Sequence, residues 1–143
     1  MEIVSAVVRA LTLELIDDSG VATPLEAELR YDTRDPYAVE ATFGAGERLV
    51  TWVFSRDLLA EGLYEPAGDG DVHIWPCLDA RGRAVVIVEL SSPDGDALLQ
   101  ARSSEVSDFL LKTCEIVPQG DEPGHLDVDA ALVRLLEQAP DAA

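Results

Sequence analysis

Few residues in this sequence could do acid–base, nucleophilic or metal chemistry, and most of them stand in turn-forming contexts. The two histidines, His73 and His125, have no base, metal ligand or nucleophile close by in the sequence, so we interpret both as structural. Asp32 and Asp35 are spaced like paired carboxylates, but the surrounding DTRDP segment is typical of a turn. No phosphate-loop, dinucleotide, serine-hydrolase or zinc-protease motif occurs. The sequence therefore predicts that the protein is not an enzyme.

Metal and cofactor sites are not predicted either. The Asp-x-Asp segments at 69–71 and 94–96 lack the glycine that a calcium loop needs at its sixth position, so turn chemistry explains them better. The two cysteines, Cys77 and Cys114, do not show metal-ligand spacing. We expect reduced thiols, no metal and no cofactor in a cytoplasmic protein.

Charge is the most unusual feature of the composition, because 28 acidic residues stand against 10 basic ones and give a net charge of −18. Nucleic-acid binding depends on clustered lysine and arginine, whereas here Lys112 is the single lysine and the arginines are scattered among carboxylates. We expect no nucleic-acid partner. The acidity either keeps a small protein soluble, which we favour, or forms an acidic binding face.

Targeting and membrane segments are not predicted. The N-terminus lacks the basic region and apolar core of a signal peptide. The longest apolar run, Ala84–Val88, is far too short to cross a bilayer. We therefore expect no direct membrane insertion.

The pattern of elements predicts one α+β domain over residues 1–143. Alternating apolar residues or β-branched runs predict about seven strands, with a strand or a helix both possible at 97–101. Those segments are 3–16, 25–31, 37–43, 49–54, 72–75, 83–90 and 97–101. Helical spacing predicts about three helices, starting near 55, 103 and 127, so that two antiparallel groups of strands are each followed by a helix.

The stretch from Leu49 to Tyr64 lies where one group of strands gives way to the next. Leu49–Phe54 is apolar or β-favouring at nearly every position, which is typical of a strand covered on both faces. Ser55 is placed to cap a short helix, Asp57 suits its first turn, and Gly62 is placed to end it in the left-handed conformation.

The aromatic residues fall mainly on predicted strands, so their first interpretation is core. Trp52 and Trp75 leave an alternative open, because large amphipathic side chains on sheet faces also form protein interfaces.

Five segments in succession carry a family resemblance: LRYDTRDPYAV (29–39), TWVFSRDLLAEGL (51–63), GDVHIWP (70–76), VELSSPDGDALL (88–99) and FLLKT (109–113). In this order they resemble the SsgA-like proteins, which are sporulation and cell-division regulators of sporulating actinomycetes. The resemblance covers nearly the whole chain and is nearest to the family member that positions the division GTPase FtsZ at future septa.

This resemblance implies a fold like that of the Whirly single-stranded-nucleic-acid binders, with two antiparallel sheets and helices, assembled as a homotrimer. It also implies a non-enzymatic role in sporulation-specific division and septation. The implied partners are FtsZ or other septum-site proteins of the same family, and the implied location is the division septum. The alternatives are a single-stranded nucleic-acid binder, by analogy of fold, and a small ligand-binding domain.

We predict the partner contact at the strand-to-helix corner. Its candidate residues are Asp35, Tyr37, Arg56, Glu61 and Trp75. They lie in the segments that carry the resemblance, and an exposed arginine beside aromatic residues is typical of interface hot spots. The alternative is that Asp35 and Arg56 cap and pair locally while Tyr37 and Trp75 pack inside.

Overall fold

A single antiparallel sheet of eight strands dominates the computed structural model, which describes residues 6–45 and 47–125. The strands are β1 (Ala6–Ile16), β2 (Ala22–Asp32), β3 (Ala38–Ala45), β4 (Arg48–Ser55), β5 (Ala67–Asp69), β6 (Val72–Leu78), β7 (Ala84–Ser92) and β8 (Gly95–Arg102). The helices are α1 (Arg56–Gly62), α2 (Ser103–Ile116) and α3 (Glu122–His125). The order across the curled sheet is β4-β3-β2-β1-β8-β7-β6-β5.

The prediction of about seven strands in two Whirly-like sheets is wrong, because the two groups of strands join into one sheet. The joint is the pairing of β1 with β8, from Glu14 opposite Gln100 to Ile16 opposite Leu98. The eighth strand is β5, which lies in the Pro/Gly-rich segment 65–70 whose composition is typical of a loop, and the ambiguous segment at 97–101 belongs to β8. The predicted order is confirmed, since four strands precede α1 and four more precede α2.

The core lies on the face of the sheet that the helices cover. Along β1, Leu11 and Leu13 are buried while Thr12 between them is exposed, as strand alternation requires. Helix α2 contributes Val106 and Phe109, both almost fully buried. Burying such side chains contributes roughly 1.5–3 kcal/mol each to the stability of the folded state.

Strand β4 is an edge strand, so the prediction that it is covered on both faces is wrong. Leu49, Val50 and Val53 are 69%, 45% and 53% exposed. Apolar composition alone does not distinguish a central strand from an edge strand.

Helix α1 ends without the left-handed glycine that the sequence predicts. Gly62 is the last residue of α1 and does not have a positive φ angle. Its lack of a side chain matters for packing instead, because a Cβ at this position would collide with the side chain of Ile74 on β6. Glycine at 62 therefore lets α1 lie close against the sheet.

The predicted last helix, 127–139, lies outside the described residues. Within residues 6–45 and 47–125, the helices are all too short or too polar to cross a membrane.

Substituting Gly62→Ala tests this close approach. The added methyl group must displace Ile74, and the cost of overpacking exceeds the gain in helix propensity, so we expect a net loss of about 1–2 kcal/mol in the free energy of unfolding. Urea denaturation measures it. Gly124→Ala is the control, since a methyl group there meets no atom within 4 Å. Equal effects of the two substitutions would contradict the packing argument.

Candidate partner-binding site

The corner between β4 and α1 is fixed by two local hydrogen bonds. The Ser55 side chain accepts a hydrogen bond of 2.9 Å from the backbone N–H of Leu58, which confirms the predicted cap. The backbone N–H of Arg56 donates to the carbonyl oxygen of Tyr37 at 2.7 Å. The first turn of α1 is therefore held against the turn between β2 and β3.

Arg56 is buried in this corner, with 3% of its surface exposed. Its Nη1 donates to the backbone carbonyl oxygen of Val117 at 2.7 Å, and its Nη2 donates to Oε1 of Glu122 at 2.7 Å. Val117 lies at the C-terminal end of α2, and Glu122 is the first residue of α3. One guanidinium thus joins all three helices.

Tyr31 extends this network into the sheet. The Arg56 guanidinium carbon lies 5.0 Å from the centre of the Tyr31 ring, within the range of a cation–π contact. The Tyr31 hydroxyl donates to the carbonyl oxygen of Pro36 at 2.9 Å, and burial raises the pKa of this hydroxyl to about 12. The buried phenol remains a hydrogen-bond donor, and it fixes the turn that carries Asp35 and Tyr37.

The prediction of an exposed Arg56 is therefore wrong, and the physical reason is hydrogen bonding. A guanidinium can be buried when its N–H groups find carbonyl and carboxylate acceptors, and here Val117 and Glu122 supply them. Both acceptors lie more than sixty positions away in the sequence, so inspection of the local segment does not reveal them.

The DTRDP segment forms a turn, in agreement with the interpretation that we favoured over paired acid–base carboxylates. Asp32 Oδ1 accepts from the backbone N–H of Arg34 at 2.9 Å, and its Oδ2 lies 2.8 Å from Nη2 of Arg34. The hydrogen bonds from the Arg34 side chain hold the pKa of the Asp32 carboxyl below its usual value. Asp35 is half-buried and closes the turn through its backbone N–H, 2.9 Å from the carbonyl oxygen of Asp32.

An exposed face remains around the buried arginine. Tyr37 is 43% exposed, and Glu61 and Asp57 are exposed on α1. Tyr64 follows the end of α1 and is 81% exposed, and sequence reasoning missed it as a candidate contact. Its position between the end of a helix and Glu65-Pro66 predicts a loop, and a tyrosine in a surface loop is typically exposed.

Trp75 does not join this face. Its neighbour Ile74 is the residue that packs against Gly62 of α1, and successive side chains of a strand point to opposite faces. Trp75 is half-buried opposite Ile87 of β7. The structure therefore brings Tyr37 and Arg56 together, places Glu61 on the same helix as Arg56, and places Trp75 on the face of the sheet opposite to Ile74 and α1.

Nothing in the described part of the chain resembles a metal centre, because residues 6–45 and 47–125 contain no group of three or more His, Cys, Asp or Glu side chains placed to hold an ion. His73 is exposed, with Nδ1 3.9 Å from Oε1 of Glu89. An apolar cavity of about 30 Å³ lies beneath the sheet. Ligand pockets are typically roughly 300–1,000 Å³, so this cavity is a packing gap.

Arg56→Ala tests the network. The substitution removes the Arg56 donor from the Val117 carbonyl oxygen and leaves the buried Glu122 carboxylate with only the backbone N–H of Gly120, so we expect the melting temperature to fall by roughly 10 °C. Arg34→Ala is the control, because the Arg34 side chain is 63% exposed and its ion pair lies at the surface. Differential scanning calorimetry measures both, and a loss at Arg56 no larger than at Arg34 would refute a structural role for the network.

Glu122 makes the stability of this corner depend on pH. The hydrogen bond from the Arg56 side chain holds the pKa of the Glu122 carboxyl below its ordinary value of 4.5. A lowered folded-state pKa contributes stability that is fully present above pH 4.5 and is lost as the pH falls through the folded-state value. We expect the difference in melting temperature between wild type and Glu122→Gln to be largest near neutral pH and to shrink in acid.

Glu61→Gln, on the exposed face of α1, is the control for this pH series. A difference between wild type and Glu122→Gln that stays constant from neutral pH to acid would show that the carboxylate charge at 122 does not stabilise the fold.

Comparison with known proteins extends over most of the chain. The family model "Streptomyces sporulation and cell division protein, SsgA" matches residues 25–122. The sporulation-specific cell division protein SsgB of Streptomyces coelicolor is 49% identical over 90% of this chain and 94% of its own length. The SsgB of Saccharopolyspora erythraea is 50% identical over 86% of each chain.

Solved structures agree with these sequence matches. One solved structure has a TM-score of 0.84 and 48% identity, and it covers 88% of this chain and 99% of that one. Its description states that mutations in SsgB correlate to longitudinal cell division during sporulation of Streptomyces coelicolor. The SsgA-like sporulation-specific cell division protein of Thermobifida fusca has a TM-score of 0.82 and 38% identity, covering 92% of this chain and 96% of that one. The chain belongs to the SsgA family of sporulation and cell division proteins.

Proposed function

We propose that this protein is a non-enzymatic regulator of sporulation-specific cell division, and that it acts through protein–protein contacts which position or support FtsZ and the septum machinery. The observation that carries the proposal is the 49% identity to a sporulation-specific cell division protein over 90% of the chain. Its homologues are named for a cellular process and not for a reaction.

The electrostatics of the chain favour a protein partner over nucleic acid. A net charge of −18 repels phosphate backbones and provides no counterion-releasing basic surface. Arg56 is not available to bind phosphate, because its guanidinium is buried and donates hydrogen bonds to Glu122 and Val117. Such a surface suits a partner that is less acidic than the chain itself.

The proposed contact includes the exposed face of the corner, with Tyr37 and Glu61 from the sequence prediction and Tyr64 beside them. Tyrosine contributes a large rigid contact surface at a small cost in side-chain entropy. The Arg56 network holds this face in one conformation before the partner arrives, which reduces the ordering cost of binding.

Self-association into a homotrimer completes the proposal. Three copies engaging one filament would raise the effective affinity without any new contact, provided that the geometry lets them bind together. The protein would then act in the cytoplasm and be recruited to the septum through FtsZ or through other septum-site proteins of the same family.

Co-sedimentation with FtsZ polymerised by GTP tests this function. We expect the wild type to pellet with the polymer and Glu61→Lys to lower the bound fraction at least fivefold, because the substitution reverses a charge at the proposed contact. Asp94→Lys is the matched control, since Asp94 is exposed in the turn between β7 and β8 and undergoes the same change of charge.

The wild type remaining in the supernatant with purified FtsZ would contradict a direct contact. Submicromolar binding of single-stranded DNA at physiological salt would instead favour the nucleic-acid alternative. Light scattering on the same samples measures the oligomer mass, and a monomer at micromolar concentration would contradict the homotrimer.

A further inference from the structure

The free edge of β4 combines the sequence of a buried strand with an exposed position. Within residues 6–45 and 47–125, β4 pairs with β3 alone. This pairing runs without a break from Ala45 opposite Arg48 to Ala38 opposite Ser55. The backbone groups on the other side of β4 therefore form a regular row that is open to an added strand.

Apolar side chains are exposed on both faces of this edge. Leu49 and Val53 are 69% and 53% exposed, and they share one face of the strand because they lie four positions apart. Val50, 45% exposed, points to the other face together with the half-buried Trp52. A docked helix or a flat surface would cover one of these faces, whereas an added strand covers both and also satisfies the backbone groups.

The usual protections of an edge strand do not occur on β4. Proteins block edges with proline, lysine, bulges or very short strands, and β4 has eight residues, RLVTWVFS, in continuous register. The opposite edge of the sheet is different, because β5 has three residues and follows Pro66, and α1 packs against it. Among residues 6–45 and 47–125, the β5 edge is short and flanked by a proline and a helix, whereas the β4 edge is long and pairs on one side only.

The chemistry of the edge restricts what can bind there. From Leu49 to Ser55 the strand carries no charge, although the chain has a net charge of −18. The hydroxyl groups of Thr51 and Thr42 already pair with each other at 3.0 Å on one face. A charged segment would lose hydration without gaining an ion pair along this row, so the complementary segment is uncharged and apolar.

We infer that the β4 edge binds an extended, uncharged segment of a partner protein, which adds to the sheet as a ninth strand. The inference deepens the proposed function and rests on it, since it assigns the backbone part of the protein–protein contact. Strand β4 ends at Ser55, where α1 begins, and Ser55 pairs with Ala38 beside Tyr37. The β4 edge therefore ends at the corner where α1 begins.

The test uses a model peptide because the partner segment is unidentified. The probe is a fluorescein-labelled peptide of alternating valine and threonine with a terminal lysine at each end, about ten residues long so that it spans the strand. The control peptide has alternate backbone nitrogens methylated, which removes the donors of one edge and keeps the side chains. Fluorescence anisotropy gives the affinity, and amide hydrogen exchange shows which strand becomes protected.

Val53→Lys tests the edge, because a lysine on an edge strand blocks pairing with an added strand in natural proteins. Val8→Lys is the comparison variant: Val8 is 50% exposed on β1, pairs with Arg30 of β2, and falls in the same cross-strand row as Val53, three strands away from the β4 edge. We expect Val53→Lys to weaken peptide binding at least tenfold, Val8→Lys to change it less than twofold, and the methylated peptide not to bind. Protection should appear in the amides of β4.

Three results would overturn the inference: no binding of the unmethylated peptide, equal weakening by the two lysine substitutions, or equal binding of the methylated peptide. A smaller oligomer mass for Val53→Lys with unchanged peptide affinity would also overturn it, because a second copy of the chain would then occupy the edge. If Val53→Lys still pellets with FtsZ as the wild type does, the edge assignment fails while the proposed function stands. If the wild type does not pellet, the proposed function itself fails.

Discussion

The buried guanidinium of Arg56 is the interaction on which the rest of this structure depends. It occupies the one place where α1, the end of α2, the start of α3 and the aromatic ring of Tyr31 meet. Burying this cation costs hydration, and the fold compensates with the Val117 carbonyl oxygen and the Glu122 carboxylate. Removing the guanidinium takes a donor from both acceptors at once, so the corner is built as a unit.

Buried and exposed residues lie close together at this corner. Arg56 and Tyr31 are buried, whereas Tyr37, in the turn between β2 and β3, is 43% exposed. The two open features, the corner face and the β4 edge, are positioned by one rigid junction at Ser55 and Arg56. A partner that contacts both features would bind a preformed surface, which lowers the ordering cost of binding. The acidic charge of the chain would at the same time repel unrelated polyanions.

Local patterns in the sequence predict most elements of the fold, but they miss the short β5 and α3 and the long-range joints. The alternation of Leu11 and Leu13 with Thr12 predicted a half-buried strand, and Ser55 was correctly assigned as a cap, because both signals lie within a few positions. The pairing of β1 with β8 has no local signal, so two groups of strands were predicted to form separate sheets. An apolar run such as β4 predicts a strand but does not report what covers it.

The candidate site shows the same limit at single residues. Arg56 carries no mark of burial in its own segment, since Glu122 and Val117 become its neighbours only through the packing of three helices. Gly62 was assigned to a helix end, whereas its role depends on Ile74 of another strand. The turn at Tyr37 and helix α1 are far apart in the chain, and the hydrogen bond from the Arg56 backbone N–H to the Tyr37 carbonyl oxygen is what brings them together.

Amide hydrogen exchange of the chain with and without polymerised FtsZ measures the buried network and the proposed contact in one experiment. We expect slow exchange at Val117 and Arg56 in both states, because their amides donate to Thr113 and Tyr37, and new protection on FtsZ binding at β4, the turn at 35–37 and residues 57–64 only. Rapid exchange at Arg56 in the free chain would contradict the rigid junction. Protection confined to β6–β8, or no change on adding FtsZ, would contradict the assignment of the contact to this corner.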